Sequence, residues 1–178
     1  MLSDEALMLD FQRGSRTAFE ELFERYREPM YGFFRRRLYD SHRAEDLTHE
    51  VFLALMKGCA RYEPRAALRT YLYGIAFKLL AAERRSQRKD RYKAEAQGEP
   101  NSVELSDSTL WVREAIAKLD PMEREILMLR EYEQLNYIEI AELLRIPVNT
   151  VRSRLFRCRM TLKSYLEPAP QERASSER

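Results

Sequence analysis

One stretch, NYIEIAELLRIPVNTVRSRL at Asn136–Leu155, restricts the possible folds more than any other. Ile140, Leu144, Ile146, Val151 and Leu155 recur at helical steps, but Pro147 divides them, because proline cannot supply the N–H that an unbroken helix needs. Two short helices must therefore share one apolar seam and cross steeply. Ala141 is small enough to let them approach. Asn149, Thr150, Arg152, Ser153 and Arg154 then fall on the outer face. This is the pattern of a helix-turn-helix, whose second helix sets its N-terminal residues against base edges in the major groove. Asn149, Thr150, Arg152 and Ser153 are the candidates for base contacts, and Arg154, Arg157, Arg159 and Lys163 for phosphates. An ordinary αα-hairpin with a solvated basic helix would have the same spacing. Arg145 fills the turn, a position often taken by glycine, and a positive φ there would carry a cost.

The rest of the chain also reads as helix. Glycine accounts for only five of 178 residues, and no Val/Ile/Thr alternation appears, so an all-α protein is expected. Over residues 3–39, Phe19, Leu22, Phe23, Tyr26, Met30, Phe33 and Phe34 recur at three- and four-residue steps, and Pro29 is expected to kink or divide the segment. A helix over Arg43–Lys57 would pack through Leu47, Val51, Leu53 and Leu55. Gly58–Arg65 reads as a loop, and Ala66–Lys89 as a helix with a stripe of Leu68, Leu72, Ile75 and Leu79. Residues 90–108 lose the period and contain QGEPNS, which predicts a flexible linker between a first domain at 1–89 and a second at 109–167. The tail, 168–178, is expected to be disordered. In the second domain Asp120 is expected as an N-cap before Pro121, with Glu123 closing a capping box, and Asn136 with Glu139 repeats the device.

Charge is segregated along the chain. Residues 61–93 hold ten basic and three acidic groups, and 144–167 hold six and one, whereas 94–143 hold four basic and twelve acidic groups. Basic blocks can follow a phosphate backbone, and acidic stretches suit a protein partner; solvated helix faces are the alternative. No apolar run approaches the roughly 18 residues of a membrane span. The N-terminus has no basic leader, and the only cysteines, Cys59 and Cys158, form no metal motif. A cytoplasmic protein without cofactor is expected. No Gly-rich phosphate loop occurs. Glu45, Asp46 and Glu50 could be read as a catalytic carboxylate cluster, but no HExxH-type motif accompanies them, so the chain is not expected to be an enzyme.

With these residues in view, the chain resembles the extracytoplasmic function (ECF) sigma factors of bacteria from about Asp4 to Leu166. The likeness rests on AEDLTHEVFLALM (Ala44–Met56), RTYLYGIAFKLLAAERRSQRK (Arg69–Lys89) and the stretch from Leu119 to Leu166 that contains the helix-turn-helix. It implies a sigma-2 domain followed by a sigma-4 domain. It further implies an alternative sigma factor that binds core RNA polymerase through the β′ coiled coil and β flap, recognises promoter DNA as duplex and as melted strand, and is held by an anti-sigma factor. Glu45, Asp46, His49, Glu50 and Phe52 would meet the β′ coiled coil, with carboxylates pairing to its basic groups. The loop at 60–67 would hold an unstacked −10 base, with Tyr62 a candidate to stack on it. Arg69, Tyr73, Phe77 and Lys78 would also lie towards the −10 element, although Tyr73 and Phe77 could instead pack internally. Arg84, Arg85, Arg88 and Lys89 would hold phosphates. Arg145, Asn149, Thr150, Arg152, Ser153, Arg154, Arg157 and Arg159 would meet the −35 element. The sequence departs from the family at Tyr71, often tryptophan, at Phe77 and Lys78, often arginine and asparagine, and at Ala82, often aspartate. A DNA-binding regulator that never joins polymerase, and a helical protein that sequesters another sigma factor, are the competing readings.

Overall fold

Polar side chains set where the helices begin. Ser3 accepts a hydrogen bond from Ala6 N and opens α1, Asp4–Gln12; Asp40 accepts from Arg43 N and opens α3, Ser41–Gly58. Between them lies α2, Arg16–Leu38. A 3-10 turn, Cys59–Arg61, follows α3, and α4 is Leu68–Ala94. Further on are α5, Pro121–Glu131, α6, Tyr137–Leu144, and α7, Val148–Leu166. This computed structural model describes residues 2–38, 40–64, 67–94 and 115–166, with backbone alone at 88–94 and 166. No strand occurs among the described residues. Of the linker expected at 90–108, residues 90–94 continue α4, which runs five residues past the expected end at Lys89; residues 95–108 and the tail at 168–178 lie outside the described residues. The chain divides into two compact units, Met1–Pro100 and Asn101–Arg178.

In the first unit the helix breaks where the backbone demands it, not at proline. Gly14 has φ +97°, a region that costs glycine little, and this separates α1 from α2. Pro29 was expected to kink or divide the segment; it does not divide it, because α2 runs through it. Pro29 forfeits one backbone hydrogen bond, but the buried Tyr26, Met30, Phe33 and Phe34 anchor the helix on both sides. These side chains share a core with Leu7 and Met8 of α1, Leu47, Val51 and Leu55 of α3, and Leu68, Leu72, Tyr73, Ala76 and Leu80 of α4. Each large side chain buried there contributes roughly 1.5–3 kcal/mol. Two packing expectations fail. Leu53 is 51% exposed, and the α4 stripe is Leu68, Leu72, Ala76 and Leu80, with Ile75 and Leu79 only half-buried. The small Ala76 lets the helix seat closely, a contribution that a search for large apolar residues overlooks.

In the second unit Asp120 accepts from Met122 N at 3.0 Å and from Glu123 N at 3.3 Å. Glu123 was expected to close a capping box; its carboxylate instead meets Arg157 Nε at 3.2 Å, drawn off by the opposite charge. The box at α6 does form: Asn136 Oδ1 accepts from Ile138 N and Glu139 N, while Asn136 N donates to Glu139 Oε2 at 2.7 Å. Arg145 ends α6 at φ 55°, ψ 46°, the left-handed conformation anticipated for the turn. Ile140, Ala141, Val151 and Leu155 join Ile126, Leu129 and Cys158 in one core, whereas Leu144 and Ile146 are half-buried at its margin.

Candidate nucleic-acid interface

Burying Val151, Leu155 and Cys158 turns the opposite side of α7 outwards. Asn149, Arg152 and Ser153 are exposed there, and Thr150 is half-buried. Arg152 Nη1 donates to Asn149 Oδ1 at 3.4 Å, and Ser153 Oγ donates to Thr150 O at 3.1 Å, so the polar groups lie within reach of one another. The same face carries Phe156, 66% exposed, three residues beyond Ser153 and seven beyond Asn149. The sequence reading missed it. The signal was present: Phe156 is apolar yet out of step with Val151, Leu155 and Cys158.

The arginines expected to meet phosphates already have carboxylate partners. Arg154 pairs with Asp120 at 3.3 Å, Arg157 with Glu123 at 3.2 Å and Arg159 with Glu131 at 2.9 Å. Arg145 is exposed. The Cys158 thiol sits in the core; burial, and then the Glu123 carboxylate, push it up to about 11.

On α3, Glu45, Asp46 and His49 are exposed and Glu50 is half-buried. Arg43 lies at their centre, 3.7 Å from Asp46 and 3.3 Å from Glu50, and it reaches across to Glu83 of α4 at 2.8 Å. Phe52 does not belong to this surface. It is buried, its ring 4.7 Å from Phe23 and 6.4 Å from Phe19, because an aromatic ring gains more inside that cluster than in water. The exposed apolar side chains on α3 are Leu53 and Met56.

On α4, Arg69 is half-exposed and Lys78, Arg84 and Arg85 are exposed; the side chains of Arg88 and Lys89 lie outside the described residues. Phe77, half-exposed, packs 5.2 Å from Phe33, and the Arg37 guanidinium stands 3.8 Å over the Phe33 ring. A shallow cleft of about 270 Å³ runs along Phe77, Leu80, Ala81, Arg84 and Arg85. Tyr73 was expected off the apolar stripe. It is 2% exposed with its ring 5.6 Å from Phe33, so it is a core residue and offers no face to a base. Tyr62 is likewise 6% exposed; its ring lies 5.4 Å from that of Tyr71, which is half-exposed. Burial, followed by the nearby Glu5 and Asp4 carboxylates, raises the Tyr62 phenol above its ordinary value. Among the described residues, no group of three or more His, Cys, Asp or Glu is placed to hold a metal ion, and no helix is long and apolar enough to cross a membrane.

The sequence profile of sigma-70 region 2 matches residues 22–90, and that of sigma-70 region 4 matches 109–162. The RNA polymerase sigma-H factor of Pseudomonas aeruginosa is 31% identical, over 95% of this chain and 96% of the relative. The ECF RNA polymerase sigma factor SigK of a Mycobacterium strain is 30% identical over 78% and 77%. The chain belongs to the ECF sigma factors. It is thus an alternative sigma factor directing transcription initiation, a class that regulates transcription. Two solved structures share the fold of this ECF sigma factor. CnrH, in complex with the cytosolic domain of CnrY, has a TM-score of 0.70 at 21% identity, covering 92% of this chain and 96% of that one. RpoE of Bartonella quintana, with the anti-sigma factor NepR, has 0.68 at 16% identity, covering 83% and 96%. Region 2 of the sigma factor spans α2–α4 and region 4 spans α5–α7, so α1 precedes both.

Proposed function

We propose that the two units divide the work of initiation, with domains at 1–89 and 109–167 joined by a linker at 90–108. In the second, α7 reads the duplex −35 element. Asn149, Thr150, Arg152 and Ser153 meet base edges, Phe156 offers apolar contact to a thymine methyl, and Arg145, Arg154, Arg157 and Arg159 reach phosphates. In the first, Glu45, Asp46, His49 and Glu50 dock on the basic β′ coiled coil of core polymerase, with Leu53 and Met56 continuing the contact as the apolar side chains next to them. The connection at 60–67 holds an unstacked −10 base, and the α4 residues Arg69, Phe77, Lys78, Arg84, Arg85, Arg88 and Lys89 take the rest of the −10 element, duplex and melted. Neither grip needs to be strong alone, because tethering raises the effective concentration of the second once the first has formed.

Sigma-4 also meets the β flap, and an anti-sigma factor holds the free protein, as NepR does RpoE. The factor acts in the cytoplasm and catalyses nothing itself. The observation that carries this reading is that regions 2 and 4 match, in order, two separate compact units, each with an exposed charged helix face of its own.

Transcription in vitro tests it: the chain is added to bacterial core polymerase with genomic fragments, and start sites are mapped. New discrete starts are expected. Asp46→Arg with Glu50→Arg should abolish them together with core binding, whereas Asn149→Ala or Arg152→Ala should redistribute or remove them with core binding intact. Specific duplex binding without any association with core would overturn the reading in favour of a plain regulator.

A further inference from the structure

Helix α1 lies outside both region profiles, yet two of its polar side chains, Glu5 and Gln12, reach one segment, the connection between α3 and α4. At its C-terminal end Gln12 turns its amide towards that connection. Nε2 donates to Cys59 O at 2.6 Å and to Tyr62 O at 2.8 Å, so the two hydrogens of a single amide hold two successive bends of the chain. At its N-terminal end Glu5 Oε1 accepts from Leu68 N at 3.1 Å, capping the first turn of α4 from 63 residues away in sequence. Gln12 therefore fixes where the connection leaves α3, and Glu5 fixes where it enters α4. The base of the brace is itself secured, since Asp4 accepts hydrogen bonds from Arg25 and from the Tyr26 hydroxyl of α2.

Packing alone does not set the path of residues 59–64. Tyr62 is buried, but its hydroxyl has no hydrogen-bond partner, so the ring is held by apolar contact with Tyr71 and has no polar anchor of its own. Adding a Cβ at Gly58 would bring it within 3.0 Å of the Tyr71 hydroxyl, so the exit from α3 is also close-packed on α4. Within the turn Tyr62 N donates to Cys59 O at 3.0 Å, and the bonds that tie both carbonyls to the rest of the unit come from Gln12. Ala60, Arg61 and Glu63 are left exposed between the two fixed ends.

We infer that Gln12 and Glu5 are positioning residues for promoter melting: α1 holds the α3–α4 connection in the shape that accepts an unstacked −10 base. The inference rests on the proposed −10 role of that connection. A preformed acceptor lowers the cost of capture, because the segment is ordered before the base arrives.

The test uses the full chain assembled with core polymerase and a fluorescent single-stranded oligonucleotide carrying the mapped −10 sequence. Gln12→Glu, the same size without a donor, and Gln12→Leu should each weaken oligonucleotide binding about tenfold, the effect of one or two lost hydrogen bonds. Gln12→Lys, which keeps a donor, should retain most of the binding. Affinity for core polymerase and for −35 duplex should be unchanged in all three, which separates positioning from general loss of structure. Glu5→Ala is the second variant should Gln12→Leu fail to fold, with the same result expected. A further variant, residues 60–64 replaced by glycine and serine, tests the underlying reading. If it loses oligonucleotide binding while the Gln12 and Glu5 variants bind as the parent does, the brace is overturned and the −10 role stands. If none of the variants loses binding, the −10 role of the connection falls, and the brace with it.

Discussion

Arg145 shows how a single residue can be both legible and costly. The turn between α6 and α7 needs a left-handed backbone, and the sequence announces the turn through Pro147 while placing arginine where glycine would be comfortable. A non-glycine residue in this region costs roughly 1–2 kcal/mol, part of which glycine would return through its greater freedom when unfolded. Arg145→Gly should therefore raise stability by about 0.5–1 kcal/mol, read as a higher urea midpoint at unchanged slope. If the arginine also meets a phosphate, the same variant should bind −35 duplex less tightly, so stability and affinity should move in opposite directions. Tyr62, Tyr73 and Phe52 were less legible. Phe52 and Tyr73 stand at the edges of apolar stripes and Tyr62 in the loop after α3, and the choice between a core ring and an exposed ring depends on neighbours contributed by other helices: Phe33 for Tyr73, Tyr71 for Tyr62, Phe19 and Phe23 for Phe52. A one-dimensional period carries no information about those partners.

At the scale of elements, local chemistry was the readable part. The caps at Asp120 and Asn136, the split at Pro147 and the loop after Gly58 all follow from short-range rules and all occur. Asn136→Ala should cost about 1 kcal/mol, measured by chemical denaturation, because Ile138 N and Glu139 N lose the side-chain oxygen that accepts from them, while the backbone bond from residue 136 to Glu139 remains. What sequence could not supply was the link between elements. Arg43 was not singled out, yet it ties the acidic side of α3 to Glu83, whose side chain is only 11% exposed, on α4. Arg43→Met should leave that carboxylate without its cation and cost about 1–3 kcal/mol, less than for a fully buried pair because Arg43 remains partly hydrated. Combining it with Glu83→Met should restore most of the loss; a double variant as unstable as the single one would show that packing, not charge, is what Arg43 contributes.

For the molecule as a whole, charge segregation was plain from the sequence, and its consequence is a dependence on salt. If Arg152, Arg154, Arg157 and Arg159 each displace a counterion from duplex, replacing any one with alanine should reduce the log–log salt slope of −35 binding by about 0.9. A slope unchanged across the four variants would exclude those phosphate contacts. The arrangement of α5 against α7 gives this surface a further property. Asp120, Glu123 and Glu131 already occupy Arg154, Arg157 and Arg159. On the proposed phosphate contacts, a duplex would exchange partners with those carboxylates and not meet bare cations, so an arbitrary stretch of DNA would gain only the difference between the two. In that reading Asp120, Glu123 and Glu131 are resident phosphate mimics, and the factor should release quickly wherever base edges offer nothing more.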